Sequence, residues 1–209
     1  MVDIKKVYLI LSGTIFLTII GLVYGITNID LFYNNSELTL NYWLAVIMEF
    51  VLLIVFIFTP KEIKKWILML FVFFSGLTLS PTIYLFISHD LLNIVLFAFI
   101  LTFVLFVLLS IFAMKTERDF SGLGNILMII LLVVIIAGII NLFLKLSILN
   151  LIISVVLAVL FSVFVIYDTQ RIINDNIADE YDAVIELYLD ILNLFVSLLN
   201  ILGYGADDD

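Results

Sequence analysis

Polar and charged residues fall in short clusters along this 209-residue chain, and the stretches between them are almost wholly apolar. Seven such stretches occupy residues 7–26, 41–59, 66–88, 91–114, 123–144, 147–167 and 183–203. A helix rising about 1.5 Å per residue needs about 20 apolar residues to cross the hydrocarbon of a bilayer, and each stretch is close to that length. Lipid cannot satisfy open backbone N–H and C=O groups, and the runs are too long and too uniformly apolar for barrel strands. Each is therefore predicted to be a transmembrane helix. Only His89 and Asp90 separate the third from the fourth, so that turn is tight. Lys5 and Lys6 precede the first run as in a signal peptide, but the run continues and no small-residue cleavage site follows, which predicts an uncleaved span.

Composition supports the same reading. The chain is 65% hydrophobic and 13% charged, with a mean hydropathy of +1.33. A soluble domain carries about 25% charged residues, so the solvent here is lipid over most of the surface. Seven helices and short loops use the whole length, which predicts one transmembrane domain over residues 1–209. The absence of cysteine excludes disulfides and thiolate metal sites. His89 is the only histidine, so histidine metal cages and relays are not expected, and it reads as a loop residue. No basic cluster is large enough for a nucleic-acid footprint, and the net charge is −9.

Charge also predicts orientation. With seven spans, Lys5, Lys6, Lys61, Lys64, Lys65, Lys115, Arg118 and Arg171 fall on one side and only Lys145 on the other. The basic side is expected to be cytoplasmic, with the N-terminus on it and the acidic tail, residues 207–209, outside. Gly21 and Gly25 form a G-x-x-x-G pair that reads as ordinary helix packing. Pro81 is expected to kink the third span, and Trp43 and Trp66 to anchor at the interfaces.

Four carboxylates stand where the pattern calls for apolar residues: Glu49, Asp168, Glu186 and Asp190. A carboxylate in hydrocarbon is costly and is expected to face protein or a water-filled cavity. Glu49 lies near the middle of the second span, with no cation within a turn on its own helix. Asp168 closes the sixth span, and Asp190 is about 10 Å into the seventh, so the two are expected at similar depth on consecutive antiparallel helices. Glu186 lies nearer the interface. On the seventh span, Glu186, Asp190, Asn193, Ser197 and Asn200 are spaced 4, 3, 4 and 3 apart and fall within about 80° of one another. A helix with such a stripe belongs in the middle of the bundle. The stripe faces either a polar path or partners in interhelical hydrogen bonds.

Two carboxyls close together in a low dielectric cannot both ionise cheaply, and they titrate as a coupled pair. Ionised, Asp168 and Asp190 also offer oxygen ligands to calcium, which takes about six to eight. With backbone carbonyls and water they would make a weak, transient calcium site, as a path requires.

The C-terminal third carries a recognisable pattern: Tyr167-Asp168-Thr169-Gln170, then Leu187-Tyr188-Leu189-Asp190 and Asn193-Leu194-Phe195. Together with Ser75-Gly76-x-Thr78, Pro81 and Asp119, it resembles the transmembrane Bax inhibitor motif family, most closely its small prokaryotic members. The resemblance implies six helices wrapped around a central seventh. It also implies a pH-sensitive calcium leak gated by an aspartate pair, onto which Asp168 and Asp190 fall, and it gives Glu49 a matching acidic position on the second helix. One feature departs from the pattern. Prokaryotic relatives place an arginine near the cytoplasmic end of the second helix, where it pairs with the sixth-helix aspartate. Here the region reads Thr59-Pro60-Lys61-Glu62-Ile63-Lys64-Lys65, and a lysine lacks the planar fork.

The leading expectation is a calcium leak gated by protonation of Asp168 and Asp190, with Glu49, Glu186, Asn193, Ser197 and Asn200 along the ion path. Its partners are lipid, protons and permeant calcium, with no cofactor, and its site is the plasma membrane of a prokaryote. Protonation removes cation ligands, which favours closing, and also weakens a carboxylate latch, which favours opening; the sequence supports both. A regulatory protein that binds other membrane proteins is the alternative. An intramembrane aspartyl protease also places two aspartates on consecutive helices, the first after a tyrosine. Its Gly-x-Gly before the second aspartate is absent here, and no proline follows Pro81, so the chain is not expected to be an enzyme. A retinal pump is excluded because the seventh span has no lysine.

Overall fold

In the computed structural model, residues 2–34, 37–174 and 176–206 are described; the acidic tail lies outside them. The fold is all-α, with seven helices long and apolar enough to cross a membrane. They are α1 (Ile4–Thr27), α2 (Leu40–Phe58), α3 (Lys61–Ser88), α4 (Leu92–Lys115), α5 (Gly124–Leu144), α6 (Ser147–Ile173) and α7 (Glu180–Gly203). Between α1 and α2 the chain makes a short 3-10 turn and a two-stranded hairpin, β1 (Tyr33–Asn34) and β2 (Glu37–Leu38), with Tyr33 opposite Leu38. Strands this short carry too few residues for an alternating pattern to mark them.

The helix ends follow local chemistry. Thr59 and Pro60 alone separate α2 from α3; a residue before proline is driven out of the helical region, and Thr59 has ψ 133°. The Asp3 carboxylate accepts from the Lys5 amide at 2.9 Å and caps α1. Asp90 takes φ 59° in the short turn between α3 and α4, a left-handed conformation aspartate tolerates better than most residues. Besides α1, which begins at Ile4 rather than 7, three helices overrun the apolar stretches by three residues or more. The α3 helix begins at Lys61 rather than 66, α6 continues past 167 to Ile173, and α7 begins at Glu180 rather than 183. The extra turns carry charged residues that find partners, so helix continues where lipid-compatible sequence has ended. Pro81 lies inside an uninterrupted α3.

The chain forms two compact units. One contains α1, α2, α3 and residues 179–185, which are Asp179 and the first turns of α7. Its α1 and α3 meet almost backbone to backbone. A Cβ on Gly76 would collide with the Thr18 carbonyl and lie 2.7 Å from the Leu22 amide, and one on Gly21 would collide with the Phe73 carbonyl. The paired glycines thus do pack a helix, as their spacing predicts. The other unit contains α4, α5, α6 and α7 from Glu186 onward. Leu194 and Leu198 of α7 pack there with Leu127 of α5 and with Leu160, Phe161 and Phe164 of α6. Large apolar side chains such as Phe58 and Phe143, over 80% exposed, form the surface that lipid covers.

Candidate functional site: a carboxyl cluster on α6 and α7

Asp168 and Asp190 meet. They sit on adjacent helices of one unit, 5% and 3% exposed, with their carboxyls within hydrogen-bonding reach of each other. Two carboxylates are both acceptors, so a bond between them needs a proton on one. Asp190 Oδ2 is buried and takes no donor from the described residues. A buried acceptor without a donor is costly, and the arrangement is one that a shared proton would relieve.

A third carboxyl and a cation complete the cluster. Arg171 Nη1 donates to Asp168 Oδ1 at 3.0 Å and to Glu186 Oε2 at 2.8 Å. The guanidinium also lies 5.4 Å from the Tyr167 ring centroid. Arg171 follows Asp168 by three residues, one turn along α6, and the extra turn of that helix is what carries it. The family pattern calls for an arginine on the second helix, and the charge distribution marks Arg171 only as one of the basic residues of the positive side. The signal was the i, i+3 spacing from Asp168. Glu186, read as an interfacial residue, is held by this arginine.

The remaining stripe residues are placed differently. Asn193 Nδ2 donates to the Leu189 carbonyl at 2.7 Å, and Ser197 Oγ to the Asn193 carbonyl at 2.6 Å. Both bonds stay on α7. Asn200 is half-buried. Glu49 belongs to the other unit, where its Oε1 accepts from Ser75 Oγ at 2.6 Å and its Oε2 from Thr78 Oγ1 at 2.7 Å. The Ser75-Gly76-x-Thr78 pattern therefore serves two ends: its hydroxyls hold a half-buried carboxyl of α2, and its glycine admits α1. His89 ends α3, its ring Nδ1 2.7 Å from the Leu85 carbonyl.

In the sequence Gln170 is only one letter of the Tyr167-Asp168-Thr169-Gln170 motif. Its Nε2 donates to the Arg118 carbonyl at 2.8 Å and its Oε1 accepts from the Phe120 amide at 3.0 Å. It pins the α4–α5 linker to α6. In that linker the Ser121 amide binds Asp119 at 2.8 Å and holds its carboxyl below the usual aspartate range. Among the described residues, no group of three or more His, Asp or Glu side chains has the geometry to hold a metal ion. Calcium at the aspartate pair would need backbone and water oxygens for most of its coordination.

Comparison with known proteins covers nearly the whole chain. Residues 2–207 match the family described as "Inhibitor of apoptosis-promoting Bax1". A protein of Campylobacter jejuni, described as uncharacterised, is 39% identical over 202 residues, 95% of this chain and 87% of that one. The Escherichia coli protein named modulator of FtsH protease YccA is 33% identical over 135 residues, 65% of this chain and 62% of that one. The Golgi anti-apoptotic protein of vaccinia virus is 36% identical over 130 residues, 61% of this chain and 55% of that one. These last two names describe a modulator and an anti-apoptotic protein, and neither is the name of an enzyme.

Proposed function

The chain belongs to the Bax inhibitor-1-like family of membrane proteins, and from that premise we propose that it is a pH-sensitive cation leak, passing calcium, gated by the proton shared between Asp168 and Asp190. The observation that carries this reading is the contact of two buried aspartates, one with an oxygen that no described donor satisfies. Arg171 pairs with Asp168 and Glu186 and leaves Asp190 against those two carboxyls, so the cluster draws cations once all three ionise. Arg171 occupies that role here from α6 itself, in place of an arginine on the second helix. The protein sits in a prokaryotic plasma membrane with its basic ends cytoplasmic, following the distribution of lysine and arginine.

The test is calcium influx into dye-loaded liposomes holding the pure protein, across about pH 5 to 8, where a coupled carboxyl pair titrates. Flux that changes with pH in either direction supports the leak. No flux above empty liposomes at any pH overturns it. That result would favour the second reading, a regulator of membrane-protein partners, which the name of the Escherichia coli relative supports. Its own test is co-purification with a membrane protease.

Arg171 gives a further prediction. Each of its bonds is charge-assisted, and losing one latch bond of about 1.4 kcal/mol corresponds to about tenfold in an equilibrium. Arg171→Gln is therefore expected to raise calcium flux near neutral pH by about tenfold or more, and Arg171→Lys by less, since lysine keeps the charge without the fork. Flux equal to wild type in both would remove Arg171 from the gate.

A further inference from the structure

A second ionic cluster lies at the start of α7, apart from the aspartate pair. Lys64, in the first turn of α3, is only 8% exposed. Its Nζ binds Asp179 Oδ2 at 3.0 Å and also Asp182 Oδ1. The same ammonium lies 5.2 Å from the ring centroid of Phe56, a buried residue of α2. Glu180, between the two aspartates in sequence, takes Lys61 at 2.7 Å and Lys6 of α1 at 3.1 Å. Asp179 does two things at once. Its Oδ1 accepts from the Tyr181 and Asp182 amides at 2.8 and 3.1 Å, which starts the helix, while Oδ2 ties that start to α3.

The contributions are unequal. Lys6 and Lys61 are more than half exposed, and ion pairs of that kind fix little. Lys64 is buried, and an ammonium in that position is tolerable only while its carboxylates stay in place. Removing one partner from a buried pair is far more disruptive than the net worth of the pair, which makes such a pair a strong positional constraint.

We propose that Lys64 is an electrostatic clasp that fixes the first turn of α7 against α3, so that the helix starts from a fixed point within the unit formed with α1, α2 and α3. The clasp is a steady restraint and not a second pH sensor. Burial raises the Asp179 carboxyl, but Lys64 and the Asp182 and Tyr181 amides outweigh it and leave it below the usual aspartate value. A carboxyl lowered in this way contributes above its unfolded value and is lost only as pH falls through the folded one, below about 3.9. The Lys64–Asp179 link thus persists across the range in which the aspartate pair responds. The restraint stands independently of the leak reading.

Hydrogen exchange on the full-length protein in lipid nanodiscs tests the restraint, read on the segment 176–186. Lys64→Met, which keeps the stem and removes the charge, is expected to speed exchange there by about tenfold or more, and Lys64→Arg to leave it near wild type. Exchange in Lys64→Met equal to wild type overturns the clasp. Should Lys64→Met fail to fold, Asp182→Asn decides the matter, because it removes one of the two carboxylates that hold Lys64 and leaves the Asp179 cap of α7 in place: faster exchange at the start of α7 supports the clasp, and unchanged exchange overturns it.

Discussion

Asp190→Asn is expected to flatten the pH response of calcium flux. In the proposed leak one proton is shared by the two buried carboxyls, and each pH unit beyond the midpoint changes the protonated fraction about tenfold. Flux from wild type is therefore expected to change by about tenfold or more between pH 5 and 8, and flux from the variant by less than about twofold. The substitution keeps the shape of the side chain and replaces one oxygen with an amide that donates to Asp168 at any pH. It also relieves Asp190 Oδ2, the buried acceptor without a described donor, so thermal stability is expected to hold or rise. A variant that folds and still titrates like wild type would place the sensor elsewhere, with Glu49 and its two hydroxyl donors as the next candidate.

Gly76→Val is expected to produce the largest loss of stability of any single substitution considered for α1 and α3. A Cβ at that position meets backbone, the Thr18 carbonyl and the Leu22 amide, and backbone cannot rotate away as a side chain can. Overpacking costs about 1–3 kcal/mol, and in a domain of this size about 2–4 °C of Tm accompanies each kcal/mol. The expected drop is about 2–12 °C in detergent, with outright failure to accumulate as the extreme. Gly138→Val is the control. Nothing lies within 4 Å of its Cβ position on α5, and its Tm is expected within about 2 °C of wild type. Equal losses in the two variants would mean that helix propensity, and not the close approach of α1 and α3, governs the result.

The legible parts of this protein were those dictated by one-dimensional pattern. Seven apolar runs of membrane length, in a chain with too few charges for a soluble surface, require an all-α membrane protein because lipid satisfies no open backbone. The same logic singled out Asp168 and Asp190, since an ionisable group inside such a run needs a partner. Spacing along the helices put them at similar depth, and the structure brings them into contact.

What lay beyond the pattern was partner choice among charges. Arg171 and Lys64 looked alike in sequence, two members of a basic loop population that oriented the chain. Folding separates them: Arg171 turns back one helical turn onto Asp168 and across to Glu186, and Lys64 is buried against Asp179 and Asp182, more than a hundred residues away. Helix ends moved for the same reason, because a charged turn stays helical when tertiary partners neutralise it. Glu49 found Ser75 and Thr78 from another helix rather than a cation on its own. Hydrophobic period and length act locally, so residues near in sequence reveal them. Ion pairs and hydrogen bonds act between groups that only the packed helices bring within 3 Å, and no periodicity in the chain encodes which pair will meet.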